Sequence, residues 1–320
     1  MAHACICYTT DRNYFFPTLV SAIQARRYSS SEKADILVFA FGLDPRSIDI
    51  FGRICDREAL RLVPLAAESI ESAPAMLARL FLADIVPIQY SQFLYIDGDT
   101  QIVGSIDPLL DTQVPSGNFL AADDTMMFML DGADDRTSQA VRRHFRSIGY
   151  NPQVNGRYFN SGVLRINREG WSAIGMQAWE LYRKSENDVL RFPDQDCLNV
   201  AGGALRLPLS FAWNFPIFMR GCGLERSIAP VIYHFCSAPK PWQGTFPPWN
   251  AEFHSQYRQI IRRYPELSDY RLTLPPIQYL RYHAQQRYKH VTETFCWRLS
   301  DRRHRVLEYE KKLKDALSPC

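Results

Sequence analysis

Two carboxylates flanking a glycine, Asp97-Gly98-Asp99, follow directly on the run Phe93-Leu94-Tyr95-Ile96. That run is aromatic and β-branched, so it predicts a buried strand. A strand ending in two acids sets anionic side chains at the carboxyl edge of a sheet, where open α/β sheets bind ligands. Like charges this close repel unless a cation lies between them, and a divalent metal bridging a phosphate is the simplest resident. The tripeptide also occurs in ordinary turns, so the reading depends on what surrounds it.

The surrounding pattern alternates. Strands are predicted at Cys5–Tyr8, Asp35–Phe41, Arg61–Val63 and Phe93–Ile96, with helices at Tyr14–Tyr28, Pro45–Ala59 and Pro74–Ile85 between them. This alternation argues for an α/β sheet with helices on both faces. Further along, Asn118–Ala122 reads as a strand and Asp135–Ile148 as a helix. Tyr158 to Asn167 reads as a polar bend running into a strand, and Trp171–Lys184 as an amphipathic helix. Asp194-Gln195-Asp196 opens a short helix with an Asp placed for an N-cap, and Val231–Tyr233 is a short strand delivering His234 to a proline-rich loop. At 320 residues the chain can hold one large or two ordinary domains.

The net charge of +3 carries no nucleic-acid signature. Apolar runs are too short to span a bilayer, and the amino terminus lacks a basic region and a long apolar stretch, so no secretory signal is expected. Cys5, Cys7, Cys55, Cys197, Cys222, Cys236, Cys296 and Cys320 show no C-x-x-C or zinc spacing. They are read as reduced thiols of a cytoplasmic protein, with Cys5 and Cys7 packed in the core on one face of the first strand. The near-balance of charge hides a basic tail. Residues 281–314 hold ten Lys/Arg against four Asp/Glu, interleaved with aromatics. A helix on an anionic membrane surface and a solvated helix packed on the domain edge are both open for it.

Four segments carry chemistry beside the acid pair. Asp11 and Asn13 follow strand one, where they can read a base edge or merely cap a helix. Arg79 sits in an otherwise apolar helical stretch; near a metal diphosphate it would neutralise charge bidentately, and on the surface it would only snorkel. Asp194 and Gln195 can hold a sugar or face a developing cation. His234 can complete an O,O,N site for a borderline divalent ion, and Lys240, six positions on, can meet a phosphate as a point charge.

In this order the motifs resemble family 8 glycosyltransferases, the retaining GT-A enzymes that include glycogenins and bacterial lipopolysaccharide galactosyl- and glucosyltransferases. The resemblance covers roughly residues 4 to 250. It rests on Leu94-Tyr95-Ile96-Asp97-Gly98-Asp99, Phe159-Asn160-Ser161-Gly162-Val163-Leu164, Asp194-Gln195-Asp196-Cys197-Leu198-Asn199 and His234 through Trp242. It implies an α/β GT-A fold, a Rossmann-like mixed sheet flanked by helices. Residues 1–255 would form the nucleotide-sugar-binding catalytic domain, and 256–320 a basic helical extension that could associate with membrane. Asp97, Asp99 and His234 would hold Mn²⁺, with Mg²⁺ as the alternative ion. Asp11 and Asn13 would contact uridine, Lys240 the diphosphate, and Arg79, Gly98, Asn160, Asp194 and Gln195 the rest of the donor, with Asp194 and Gln195 nearest the chemistry. The implied activity is retaining transfer of galactose or glucose from a UDP-sugar to a saccharide or glycolipid acceptor, in the cytoplasm or on the inner membrane face.

One position departs from the family. The pattern H-x-x-G-x-x-K-P-W has Ser237 in place of its glycine, so a side chain either crowds the phosphate or adds a hydroxyl donor. Two other classes stay open. A nucleotidyltransferase usually brings a Gly-rich loop after strand one, and Thr9-Thr10-Asp11-Arg12-Asn13 has none, while Gly221-Cys222-Gly223 is a lone G-x-G. A non-catalytic nucleotide-sugar-binding module would share the donor residues.

Overall fold

The computed structural model describes residues 4–130, 135–185 and 189–317; Cys320 and the first three residues lie outside them. Ten strands are described: β1 (Ala4–Asp11), β2 (Ala34–Phe41), β3 (Arg61–Leu65), β4 (Gln92–Ile96), β5 (Thr100–Ile102), β6 (Phe119–Asp123), β7 (Phe159–Asn167), β8 (Arg206–Leu209), β9 (Phe215–Pro216) and β10 (Ile232–His234). Seven form one sheet in the order β3-β2-β1-β4-β7-β6-β8, and three form a small sheet, β5-β10-β9. In the large sheet only β7 runs against its neighbours, pairing antiparallel with β4 and β6.

The strands read as continuous apolar runs because both faces are covered. Ile6, Tyr8, Leu94 and Ile96 point into one core with Phe15, Phe16 and Leu19 of helix Phe15–Arg27 and Phe51 of helix Pro45–Arg57. Cys5, Cys7, Phe93 and Tyr95 point the other way, against Leu77, Leu80, Trp171 and Ile174. Cys5 and Cys7 are thus fully buried packing residues. The seven described cysteines are all free thiols.

The chain fills β1, β2 and β3 outward in one direction and then returns to place β4 on the other side of β1. A crevice opens where strand order reverses, at the carboxyl ends of β1 and β4. β4 delivers Asp97 there. Because β7 is antiparallel, with Ile96 opposite Val163, its first residues Asn160, Ser161 and Gly162 reach the same edge. The small sheet completes the arrangement. Thr100 pairs with His234, so β10 returns the imidazole to the acids from 135 residues downstream.

Two local readings are corrected. The helix expected over Pro74–Ile85 is a 3₁₀ segment, Ala75–Phe81, followed by one α turn, Leu82–Ile85. Within this segment the carbonyl of Arg79 accepts from the Trp171 indole at 3.1 Å. The helix Pro193–Gly202 is capped at Phe192, not at an Asp; Asp196 instead reaches back to the Phe192 N–H at 2.9 Å.

The expected division at 255/256 falls inside helix Asn250–Arg263. Two long helices end the described chain, Pro276–Leu299 and Arg302–Leu317. Their inner faces pack on the body: Trp297 lies against Phe218, the Tyr309 hydroxyl donates to the Leu209 carbonyl at 2.8 Å, and Glu310 accepts from the Phe211 N–H at 2.7 Å. No described helix is long and apolar enough to cross a membrane.

Candidate active site

Asp97, Asp99 and His234 each offer one ligand atom within 4.8 Å of the others. His234 Nε2 stands 3.3 Å from Asp99 and 3.7 Å from Asp97. The geometry requires glycine on both sides. A Cβ on Gly98 would sit 3.2 Å from the backbone of Thr18 and closer still to its side chain, and one on Gly162 would lie 2.2 Å from the His234 ring. The imidazole is oriented by Asn214, whose Oδ1 lies 2.9 Å from His234 Nδ1. Asn214 donates its own Nδ2 to Asn160 Oδ1 at 2.9 Å, so its oxygen must face the ring and accept. Nδ1 therefore carries a proton, which leaves Nε2 as the atom that faces the acids. Burial would lower the imidazole's pKa, but Cys236 and Asp99 more than reverse that, so without a cation Nε2 is protonated as well; a metal would displace that proton and take the lone pair. Two carboxylates and one imidazole fit a borderline divalent ion such as Mn²⁺.

The two acids are electrostatically unequal. Burial would raise Asp99, but Lys240 and His234 outweigh it and hold its carboxyl well below the ordinary range. Lys240 Nζ reaches Asp99 at 2.6 Å and the Phe235 carbonyl at 2.5 Å. Asp97 moves the other way: burial, with the charge of Asp99 added, outweighs the guanidinium of Arg79 and lifts it.

Arg79 joins this corner to the next. Its Nη2 meets Asp97 at 2.7 Å and its Nη1 meets Asp194 at 3.1 Å, while the same Nη1 lies 3.1 Å from the Ser161 carbonyl. The guanidinium stacks 4.9 Å above the Tyr95 ring. Burial lowers an arginine's pKa, yet the charges of Asp194 and Asp97 more than reverse that, so it stays a permanent cation between them.

Gln195 is held at both ends. Its Oε1 accepts from Asn160 Nδ2 at 3.0 Å and from the Ser161 N–H at 3.2 Å, and its Nε2 donates to Asp124 at 3.1 Å. A directed chain of hydrogen bonds thus runs from His234 through Asn214, Asn160 and Gln195 to Asp124.

Two cavities meet at the acids. One of about 310 Å³ is lined by Thr10, Asp11, Tyr14, Met76 and Tyr95 beside Asp97, Gly98 and Asp99. The other, about 580 Å³, runs from Asp97, Asp99 and His234 past Asn160, Asp194 and Gln195. Asp11 reaches the smaller cavity while its carboxylate also takes the Tyr14 N–H at 2.8 Å. Asn13 is exposed in the adjoining turn and lies outside the lining of both. Ser237 is exposed at the wall of the larger one.

Sequence reasoning missed Asp124, Ser161 as a side-chain partner, and Asn214. For Asp124 a signal existed: Asp123-Asp124 ends a strand in two acids, as the acid pair after β4 does. Asn214 carried none, because its neighbours come from β7 and β10.

The family model of Glycosyl transferase family 8 matches residues 5–245. The lipopolysaccharide glucosyltransferase WaaO of Escherichia coli is 25% identical over 254 residues, covering 74% of this chain and 72% of that protein. The lipopolysaccharide 1,3-galactosyltransferase of Salmonella typhimurium is 24% identical over 95% of this chain and 91% of its own. The crystal structure of the galactosyltransferase LgtC with donor and acceptor sugar analogues superposes with a TM-score of 0.62 at 23% identity, covering 80% of this chain and 95% of that one. The sheet order and flanking helices are those of the GT-A fold. With the matched region spanning both the acid pair after β4 and the imidazole of β10, the chain belongs to glycosyltransferase family 8.

Proposed function

We propose that this glycosyltransferase moves a hexose, galactose or glucose, from a UDP-sugar to a hydroxyl of a lipopolysaccharide or another surface glycan, with retention at the anomeric carbon. The convergence of Asp97, Asp99, His234 and Lys240 beside the Arg79–Asp194–Gln195 cluster carries this reading. One corner suits a metal-bound diphosphate, and the other suits the sugar attached to it. The two lipopolysaccharide transferases named above support the acceptor class.

Asp97, Asp99 and His234 would hold Mn²⁺, or Mg²⁺ in its place, which as a Lewis acid stabilises the diphosphate leaving group. Lys240 adds a second positive charge at Asp99. Asp11 and Asn13 are proposed for the uridine side. Asp194, fixed by Arg79 and by the Ser161 hydroxyl at 3.0 Å, accepts from sugar hydroxyls. Gln195 turns a fixed amide dipole toward the anomeric centre, where positive charge develops. Its oxygen already accepts two hydrogen bonds, so it makes a poor nucleophile, and Asp194 is neutralised by Arg79. Both facts favour attack by the acceptor from the leaving-group face. The anomeric C–O bond to the diphosphate breaks and the bond to the acceptor oxygen forms. The acceptor's proton passes to the departing phosphate oxygen, and UDP leaves.

Nucleotide release from a panel of UDP- and GDP-sugars with Mn²⁺ tests the donor. Release confined to UDP-galactose or UDP-glucose is expected; release only from GDP-sugars overturns the donor class. A covalent sugar on Gln195 or Asp194, detected by mass spectrometry during turnover, overturns the front-face route.

For the tail we propose an anionic membrane surface. Ile277, Leu280, Ala284, Tyr288, Val291, Phe295 and Leu299 recur at three- and four-residue spacing and form the exposed outer face of helix Pro276–Leu299. Arg281, Arg287 and Arg298 are exposed on the same helix without an ion-pair partner among the described residues, and its one acid, Glu293, turns inward. An apolar stripe flanked by cations and by no exposed acid of its own helix is complementary to anionic headgroups over acyl chains. The protein would then work at the cytoplasmic face of the membrane.

A further inference from the structure

We propose that helix Pro276–Leu299 walls the acceptor-saccharide subsite, and that Lys289 and Glu293 are the groups that grip the acceptor. This rests on the transferase reading above. The cavity of about 580 Å³ that begins at Asp99 and His234 continues past Phe218 to Lys289 and Glu293. Its inner end is committed to the cation and donor-sugar groups, which leaves the outer end for the second substrate.

That outer end is built for a saccharide. Lys289 Nζ lies 3.6 Å from Glu293 Oε1, one turn away, and neither has another ion-pair partner among the described residues. Their side chains keep 38% and 29% of their accessible surface, so the pair is half-desolvated and still open to the cavity. A carboxylate accepts from sugar hydroxyls and an ammonium donates to them. Phe218 supplies an apolar surface for the C–H face of a pyranose.

The wall is also rigid. Phe218 packs at a tilt against the buried Trp297 with ring centroids 5.5 Å apart, and the Thr294 hydroxyl donates to the Gly221 carbonyl at 3.2 Å. Gln286 donates to the Ala238 carbonyl at 3.3 Å, which fixes the helix to the loop carrying Lys240. Lys289 and Glu293 stand beyond the matched family region, which ends at residue 245. The two charged groups at the acceptor end thus come from a part of the chain that the family match does not cover. The outer stripe of the same helix faces away from the cavity.

Glu293→Gln and Lys289→Met test the assignment, with Gln278→Ala, exposed on the same helix and outside the cavity lining, as control. Two quantities are measured with UDP-galactose and UDP-glucose: UDP release without acceptor, and sugar transfer to de-O-acylated lipooligosaccharide, lactose or cellobiose. Losing a charged hydrogen bond to the acceptor should raise its KM about ten-fold or more, with acceptor-free UDP release within about two-fold of wild type. The control should leave both unchanged. Unchanged acceptor KM in both cavity variants overturns the proposal, as does a wild-type enzyme that releases UDP yet transfers sugar to none of the three probes. Absence of any UDP release from the wild type refutes the transferase reading instead.

Discussion

His234 and Asn214 are locked at 2.9 Å, imidazole nitrogen to amide oxygen, and Asn214 has one orientation because its nitrogen is engaged by Asn160. The residue that aims the imidazole beside the acid pair is therefore the one that steadies the amide bonded to Gln195. Asn214→Ala should raise the Mn²⁺ concentration for half-maximal UDP release by about 10–100-fold. Asn214→Asp still accepts from Nδ1 but cannot donate to Asn160. It should lower turnover while leaving the Mn²⁺ midpoint nearer to wild type. Equal midpoints for Asn214→Ala and wild type would remove Asn214 from this role.

Arg79 is the lone cation touching both Asp97 and Asp194 among the described residues. Arg79→Met should abolish most turnover and cost about 3 kcal/mol of stability, since it strands two buried carboxylates. Asp97 is already lifted by burial and by Asp99, and Arg79 pulls it down. Without Arg79 its pKa rises further, so the acid limb of the residual activity should move to higher pH at fixed Mn²⁺. A pH profile of UDP release and a urea titration measure the two effects. An unmoved acid limb would separate Arg79 from the ionisation of Asp97.

Gly162 leaves room for the imidazole, because a Cβ there would come within 2.2 Å of the ring and 2.9 Å of Asp97. Gly162→Ala should displace His234 and shift the Mn²⁺ titration of UDP release about ten-fold or more to the right. Far-UV circular dichroism should be unchanged, because β7 remains paired on both sides. A wild-type metal titration in this variant would show that the ring has another seat.

Deleting everything after residue 280 would strip buried Trp297, Val306 and Glu310 from the body, so outer-face substitutions test membrane contact more cleanly. Tyr288→Ser with Phe295→Ser should reduce co-sedimentation with phosphatidylglycerol vesicles several-fold at low salt, while neutral phosphatidylcholine vesicles bind both proteins weakly. Acceptor-free UDP release should persist. If vesicle binding is unchanged while a wild-type dimer seen by light scattering dissociates in the variant, the stripe covers a second copy instead.

The topology was legible where local pattern and tertiary role agree. The strands at residues 4–11, 34–41 and 92–96 are apolar runs, and the helices between them have clear faces. The short strands β5, β8 and β9 were not, since two to four residues carry no periodicity. They exist because β10 and β6 offer them edges. The acid pair and His234 could be nominated by residue type, but their meeting depends on the antiparallel pairing of Thr100 with His234, a contact no local window contains. Arg79 was visible as an odd cation in an apolar stretch, whereas its partners Asp97, Ser161 and Asp194 come from distant parts of the chain.

Between β4 and β5 the polypeptide crosses from the large sheet to the small one in three residues, Asp97, Gly98 and Asp99. Any guest gripped by both acids and by the imidazole of β10 consequently rivets two independently hydrogen-bonded slabs together at their seam. Occupancy should then register as raised melting temperature and as slowed amide exchange on both flanks of that crossing, turning a bound cation into a mechanical fastener as well as a chemical aid.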